Sequence, residues 1–188
     1  MFRKILAAVD VSPISESVFE EALFLAKAAH AQLALVHAFN LDEEGEHPAV
    51  NFSTLEPYSC NCGPDVQCYI GHPTLEHFKA IDNPELHFLQ AHVKQAAIQQ
   101  VHGEFFVCLG NRTGPMLCNF ARAWQADLIV LGRRGRSGLS ELLLGSVSNY
   151  VVHHAPCSVH VVNRQSTNAQ GAADSSATLS SQAARLSG

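Results

Sequence analysis

The sequence predicts an open α/β fold, a five-stranded parallel sheet with helices on both faces, and three observations carry that prediction. Short apolar runs alternate with segments whose apolar residues return at helical spacing, the order expected of strand–helix–strand units with right-handed crossovers. The apolar runs are continuous, which suits strands covered on both faces. The fourth run, Asp127 to Leu131, leads into Gly132-Arg133-Arg134-Gly135, and Gly145-Ser146 opens a helical pattern soon after. A glycine turn thus leaves a strand where sheets of this kind collect their ligands.

Taken in order, Lys4 to Val9 reads as the first strand. Ser12-Pro13 then precedes a helix with Val18, Ala22, Leu25 and Ala29 on one face. Gln32 to Phe39 is the second strand. Asn83-Pro84 reads as an N-cap with proline at the first helical position, and Leu86, Leu89, Val93 and Ala97 line the helix that follows. Glu104 to Cys108 is the third strand. Met116 to Trp124 is a helix with Leu117, Phe120, Ala121 and Trp124 inward. Asp127 to Leu131 and Ser158 to Val162 are the fourth and fifth strands, flanking the helix after Gly145.

Two segments break this rhythm. Asn40 to Asp82 is far longer than the two to six residues usual for such a connection, so it reads as an insertion or flap at about 40–82 within a domain spanning 1–163. Residues 164–188 are Ser, Ala, Gln, Asn and Gly with almost no large apolar side chain, the composition of a disordered C-terminal tail.

The 188 residues are 47% hydrophobic, ample for one domain with a sizeable core. A net charge of -5 and a pI near 6.1 argue against nucleic acid, whose phosphate backbone needs a basic face. Asp10 interrupts the first apolar run long before a signal sequence would be complete, and no stretch approaches the roughly 20 residues needed to span a bilayer. A cytoplasmic location with six reduced cysteines is the expectation.

Glycine admits positive φ and close approach of an anion, and the unpaired N–H groups at a helix start attract negative charge. Gly132, Gly135, Gly145 and Ser146 therefore read as a phosphate site, with Ser146 as the expected N-cap of the last helix. Arg133, Arg134 and Arg136 add local positive charge, although long arginines on a loop are also readily solvated. If the first and fourth strands are neighbours, Asp10 faces this loop, and its carboxylate can accept a hydrogen bond from a ribose hydroxyl or an adenine amino group. No lysine follows the glycines as a P-loop requires, and Asp10-Val11-Ser12-Pro13 stands where a dinucleotide fingerprint would. The plainer alternative is that these glycines are caps and tight turns without a ligand.

The pattern Gly132-x2-Gly135-x9-Gly145-Ser146 resembles the ATP-binding signature of the universal stress protein family. Lys4-Ile5-Leu6-Ala7-Ala8-Val9-Asp10 is similar to that family's opening strand, Val36-His37-Ala38 to its second and Ala155-Pro156-Cys157-Ser158-Val159 to its closing one. The resemblance implies a Rossmann-like fold, a homodimer through the last strand, and ATP, ADP or AMP as ligand, with Mg2+ accompanying ATP. By matching positions it implies that Asp10 holds the ribose, that the Ala38 backbone meets the adenine, and that Gly132, Arg133, Gly135, Gly145, Ser146 and Val147 surround the phosphates. It further implies a stress-response sensor or regulator, with no nucleic-acid or membrane partner. Two alternatives stay open: slow ATP or ADP hydrolysis in the same crevice, and a dimeric scaffold that needs no nucleotide. Asp10 and Glu141 are the acids near the site and no lysine accompanies them, so no catalytic residue is assigned.

Cys60-Asn61-Cys62 and Cys68, with His72 and His77 behind, lack the paired C-x2-C knuckles of common zinc sites. They read as exposed thiols on the insertion, with a redox-sensing pair as the alternative and no metal ligand assigned. Cys108, Cys118 and Cys157 fall in regular elements and read as core. His153-His154 ends a helix, where imidazolium meets the negative end of the dipole.

Overall fold

Five strands run parallel as the alternation predicts, and a hairpin of two more extends the sheet through antiparallel pairings. The computed structural model describes residues 1–40, 55–60, 62–63, 66–71, 84–133 and 144–163. In chain order the elements are β1 (Lys4–Ala8), α1 (Ile14–Ala29), β2 (Gln32–Asn40), β3 (Glu56–Tyr58), β4 (Gln67–Gly71), α2 (Pro84–Ile98), β5 (Gly103–Gly110), α3 (Thr113–Trp124), β6 (Leu128–Gly132), α4 (Ser146–His154) and β7 (Ser158–Val162). The sheet order is β3-β4-β5-β2-β1-β6-β7. The chain therefore builds outward from β1 to β2 and β5, then returns to the other side of β1 to lay down β6 and β7.

The expected count of five is corrected to seven by the insertion. Its described part forms a hairpin in which β3 pairs antiparallel with β4, and β4 with β5, Cys68 opposite Cys108. Antiparallel strands need only a short connection, and the hairpin covers the β5 edge with a ladder it would otherwise lack. This portion widens the sheet and is not a flap over its end.

Each face of the sheet carries its own core. On one, α1 and α2 pack Phe19, Leu89 and Val93 against Leu35, Phe105 and Val130. On the other, α3 and α4 pack Phe120, Trp124 and Val151 against Leu6, Phe106 and Ile129. Leu117, Phe120, Ala121 and Trp124 all face inward as expected. In α2 the inward residue of the third turn is Ala96, and Ala97 is exposed, because the face advances by three residues from Val93 and not four. Leu25 and Ala29 of α1 are half-buried at the margin of the face formed by Val18, Phe19, Ala22, Leu23 and Ala26.

The helices stop without glycine. His30 and Gln125 take the left-handed conformation at φ 53° and 60° after α1 and α3, and Gln100 does so at 63° after α2. The next residues, Ala31, Ala126 and Val101, return their N–H groups to the carbonyls of Ala26, Ala121 and Ala96 at 2.8 to 2.9 Å. At the amino edge of the sheet, Asp127 Oδ2 accepts the backbone N–H groups of Arg3 at 2.7 Å and Lys4 at 2.9 Å, fastening β1 to β6 before their ladder begins. The arginine N–H chiefly holds the Asp127 carboxyl below its ordinary pKa.

The expected N-cap Asn83, the histidines His72 and His77, the loop residues Arg134, Gly135 and Arg136, Glu141, and the tail 164–188 lie outside the described residues.

Candidate functional site

The strand order reverses at β1. From there α1 departs over one face, while β6, hydrogen-bonded to β1 on its other side, sends the chain toward α4 on the opposite face. The register Ala8↔Leu131 sets the carboxyl ends of β1 and β6 side by side, so Asp10 and Gly132 share one edge of the sheet, at its switch point. Ala38 joins them at the end of β2, where Val9 donates its N–H to the Val36 carbonyl at 3.0 Å. Because β6 and β7 are parallel, the helix between them runs back along the sheet. The amino end of α4 therefore opens on the same edge.

Asp10 is already organised by its own turn. Its Oδ1 accepts hydrogen bonds from the Ser12 N–H at 2.9 Å, from the Ser12 hydroxyl and from the Ser15 hydroxyl at 2.7 Å. Ser15 Oγ in turn accepts the Asp10 N–H at 2.9 Å. These bonds bring the chain from β1 into α1 and hold the carboxylate at the sheet edge. Ser12 and Ser15 were not singled out in the sequence, although an aspartate with serines two and five residues on is a recognisable local capping pattern.

Gly132 is glycine for a reason other than φ. Its backbone is extended, and a Cβ there would stand 2.8 Å from Ile14 Cγ2 and 3.1 Å from Ile14 Cγ1. The first turn of α1 rests directly on the end of β6. Arg133 continues the edge and donates its N–H to the Val162 carbonyl at 2.9 Å, tying β6 to β7.

At α4 the expected cap shifts by one residue. Gly145 is the N-cap, with no side-chain hydrogen bond to it, and Ser146 is the first helical residue and exposed. A side chain at the cap would ordinarily satisfy the first N–H groups of a helix. Among the described residues no side chain takes that role, and the helix start lies on the edge shared with Asp10 and Gly132. Val147 is half-buried against the α3 side of the core, while Ser148 Oγ donates to the Gly145 carbonyl at 3.0 Å. At the helix's other end His154 Nδ1 lies 2.8 Å from the Tyr150 carbonyl and its ring stacks on Tyr150, in keeping with the capping role expected of it.

His37 was read in the sequence only as part of the second strand, with no role of its own. Buried beside Asp10's strand, it donates from Nδ1 to the Val9 carbonyl at 3.0 Å and turns Nε2 toward Glu85 Oε2 at 3.7 Å. Burial lowers its pKa, outweighing the opposite pull of Glu85, the Val9 carbonyl and Asp10. Its imidazole is therefore neutral near pH 7 and serves as a rigid peg under the Val9–Asp10 backbone.

Elsewhere, a concavity of about 750 Å³ opens at the amino edge beside Lys4, Gln32, Arg122 and Asp127. The Asp127 carboxylate is committed there to the β1 backbone, and Lys4 Nζ donates to the Trp124 carbonyl at 3.0 Å. Among the cysteines, Cys62 and Cys68 are buried and Cys60 is bonded to Cys62, correcting the expectation of exposed, uniformly reduced thiols. Cys108 and Cys118 are buried as expected and Cys157 is half-buried. No helix among the described residues is long and apolar enough to cross a membrane.

The Universal stress protein family profile matches residues 1–163. The chain is 34% identical over 163 residues to Universal stress protein Sll1388 of Synechocystis, covering 86% of this chain and 97% of that one. Its fold is similar to the crystal structure of a universal stress protein in complex with cAMP, at a TM-score of 0.57 and 19% identity over 86% of this chain and 97% of that one. It is also similar to the universal stress protein of Archaeoglobus fulgidus in complex with dAMP, at 0.52 and 17% over 85% and 97%. With the predicted opening strand, the glycine edge and the switch point in place, these matches make the chain a member of the universal stress protein family.

Proposed function

We propose that this protein binds an adenine nucleotide across the carboxyl edge of β1, β2 and β6 and acts as a stress-response sensor or regulator, without turning the nucleotide over as an enzyme. The observation that supports this reading is that Asp10 and Gly132 follow adjacent strand ends at the switch point, with the amino end of α4 on the same edge. Asp10 accepts from the ribose hydroxyls, the Ala38 backbone borders the adenine, and Gly132, Arg133, Gly145, Ser146 and Val147 frame the phosphates. Gly135 belongs to the same set by its place in the motif. The nucleotides named for the cAMP- and dAMP-bound relatives support the adenine class. ATP, ADP or AMP is the ligand, with Mg2+ accompanying ATP, and binding favours one conformation or dimer form over another. The dimer forms through β7, an edge strand whose Val159 and Val161 are only half-buried in the single chain. The protein works in the cytoplasm.

Isothermal titration of the full chain with AMP, ADP, ATP and cAMP tests this. One site per chain is expected, and Asp10→Ala should weaken it roughly ten- to a hundredfold, the worth of hydrogen bonds to a charged acceptor. Gly135→Val should abolish binding with little loss of stability, and ATP incubated with Mg2+ and the protein should be recovered intact. If none of the four nucleotides binds, the reading is wrong.

A further inference from the structure

We propose that Cys60, Cys62 and Cys68 form a thiolate site for a cation of the zinc class, opened by reduction of the Cys60–Cys62 disulfide. Their three sulfur atoms lie within 4.8 Å of one another, and no other such group of three ligands occurs among the described residues. Metal–sulfur bonds of about 2.3 Å in a tetrahedral site place sulfurs about 3.8 Å apart, so side-chain adjustment alone brings these three into range. The spacing in the sequence lacks two C-x2-C knuckles; the antiparallel hairpin assembles the cluster by another route. Cys60 and Cys62 follow β3, and Cys68 sits in β4 directly opposite Tyr58.

The scaffold beneath the cluster is firm. Asn119 Nδ2 donates from α3 to the Cys62 carbonyl at 2.9 Å, and the Cys60 N–H donates to the Tyr58 carbonyl at 2.9 Å. The Tyr58 ring packs edge-on against Phe106, with centroids 4.9 Å apart. Cys108 stands opposite Cys68 on β5 in the same buried cluster, which makes Cys108 a positioning residue for the third ligand. Cys62 is fully buried and Cys68 nearly so, whereas Cys60 is half-buried. Reductant and ion therefore enter at Cys60.

The chemistry balances with a dithiol as reductant. It supplies two electrons and two protons, the Cys60–Cys62 bond breaks to give two thiols, and the dithiol closes to its own disulfide. On binding the cation the three thiols release three protons to solvent, leaving the fourth coordination position to water or an outside ligand. Oxidation removes two of the three ligands, so the redox state of the chain decides whether the site exists.

Cobalt is the probe. The full chain, reduced with a phosphine and handled without oxygen, should take up one Co2+ with thiolate-to-cobalt charge-transfer bands that zinc then displaces. Diamide-oxidised protein should show none. Cys60→Ser, at the half-buried position, should weaken uptake by roughly tenfold or more, with Cys157→Ser as an unaffected control. A second variant, Cys68→Ser, should behave like Cys60→Ser. Absence of the bands from the reduced wild-type protein, or equal bands in the oxidised protein or in Cys60→Ser, overturns the proposal.

Discussion

Gly132 ends β6 against the side chain of Ile14, so closely that a Cβ would stand 2.8 Å from Ile14 Cγ2. A branched methyl fixed in the first turn of α1 cannot swing aside as the tip of a long side chain would. Gly132→Ala should therefore cost about 1–3 kcal/mol, the usual penalty for overpacking. In an Ile14→Ala background the penalty should shrink, a coupling that urea unfolding of the four proteins of the cycle would measure. Additive losses would show that Gly132 is needed for some reason other than room for Ile14.

His37 sets a pH dependence. The unfolded chain's imidazole takes up its proton near pH 6.5, whereas the buried ring resists it to lower pH. Between those two values the unfolded state binds more protons, so stability rises with pH there and is lost as pH falls below about 6.5. Thermal unfolding followed from pH 7.5 to 5.5 should show the melting temperature falling, and His37→Gln should flatten the fall. Parallel curves for the two proteins would remove His37 from the account.

The parallel strands and three of the helix faces were legible because burial on both sides leaves continuous apolar runs and a repeat of about 3.6 residues. The hairpin was not, since Glu56-Pro57-Tyr58 is a three-residue strand containing proline and gives no alternation to read. Asp10 and Gly132 could be placed on one edge only on the condition that the first and fourth strands are neighbours, which the ladder between β1 and β6 meets. What their neighbours do was hidden: the contact of Gly132 with Ile14, the peg formed by His37 and the meeting of Cys68 with Cys108 all depend on residues brought together only by the fold. The cap at Gly145 was missed because Ser146 carries the stronger local propensity, while the backbone turns one residue earlier.

Asp127 fastens the amino ends of β1 and β6 through two backbone hydrogen bonds to one carboxylate oxygen. Asp127→Ala removes the one oxygen that accepts both bonds and should lower stability by about 1–2 kcal/mol, a modest figure because water reaches the site. The depressed carboxyl pKa gives this contribution a sign: it is present above the unfolded aspartate value near 3.9 and is lost as pH falls below it. Denaturant midpoints at pH 7 and pH 3 should thus differ less in Asp127→Ala than in the wild-type protein. An unchanged midpoint at pH 7 would show that the ladder from Ile5 onward holds the two strands unaided.

Gln125 closes α3 at φ 60°, a conformation that costs a residue with a Cβ about 1 kcal/mol and glycine almost nothing. Its side chain is exposed, so little packing is lost on removing it. The backbone bonds that terminate the helix, from Gln125 N–H to the Arg122 carbonyl and from Ala126 N–H to the Ala121 carbonyl, do not involve that side chain. Gln125→Gly should accordingly stabilise the protein by about 0.5–1 kcal/mol, raising the melting temperature by roughly 1–4 °C for a domain of this size. Gln125→Ala should not, because alanine keeps the Cβ and with it the left-handed penalty. A calorimetric comparison in which the two substitutions shift the melting temperature alike would assign the effect to the lost side chain and not to the backbone.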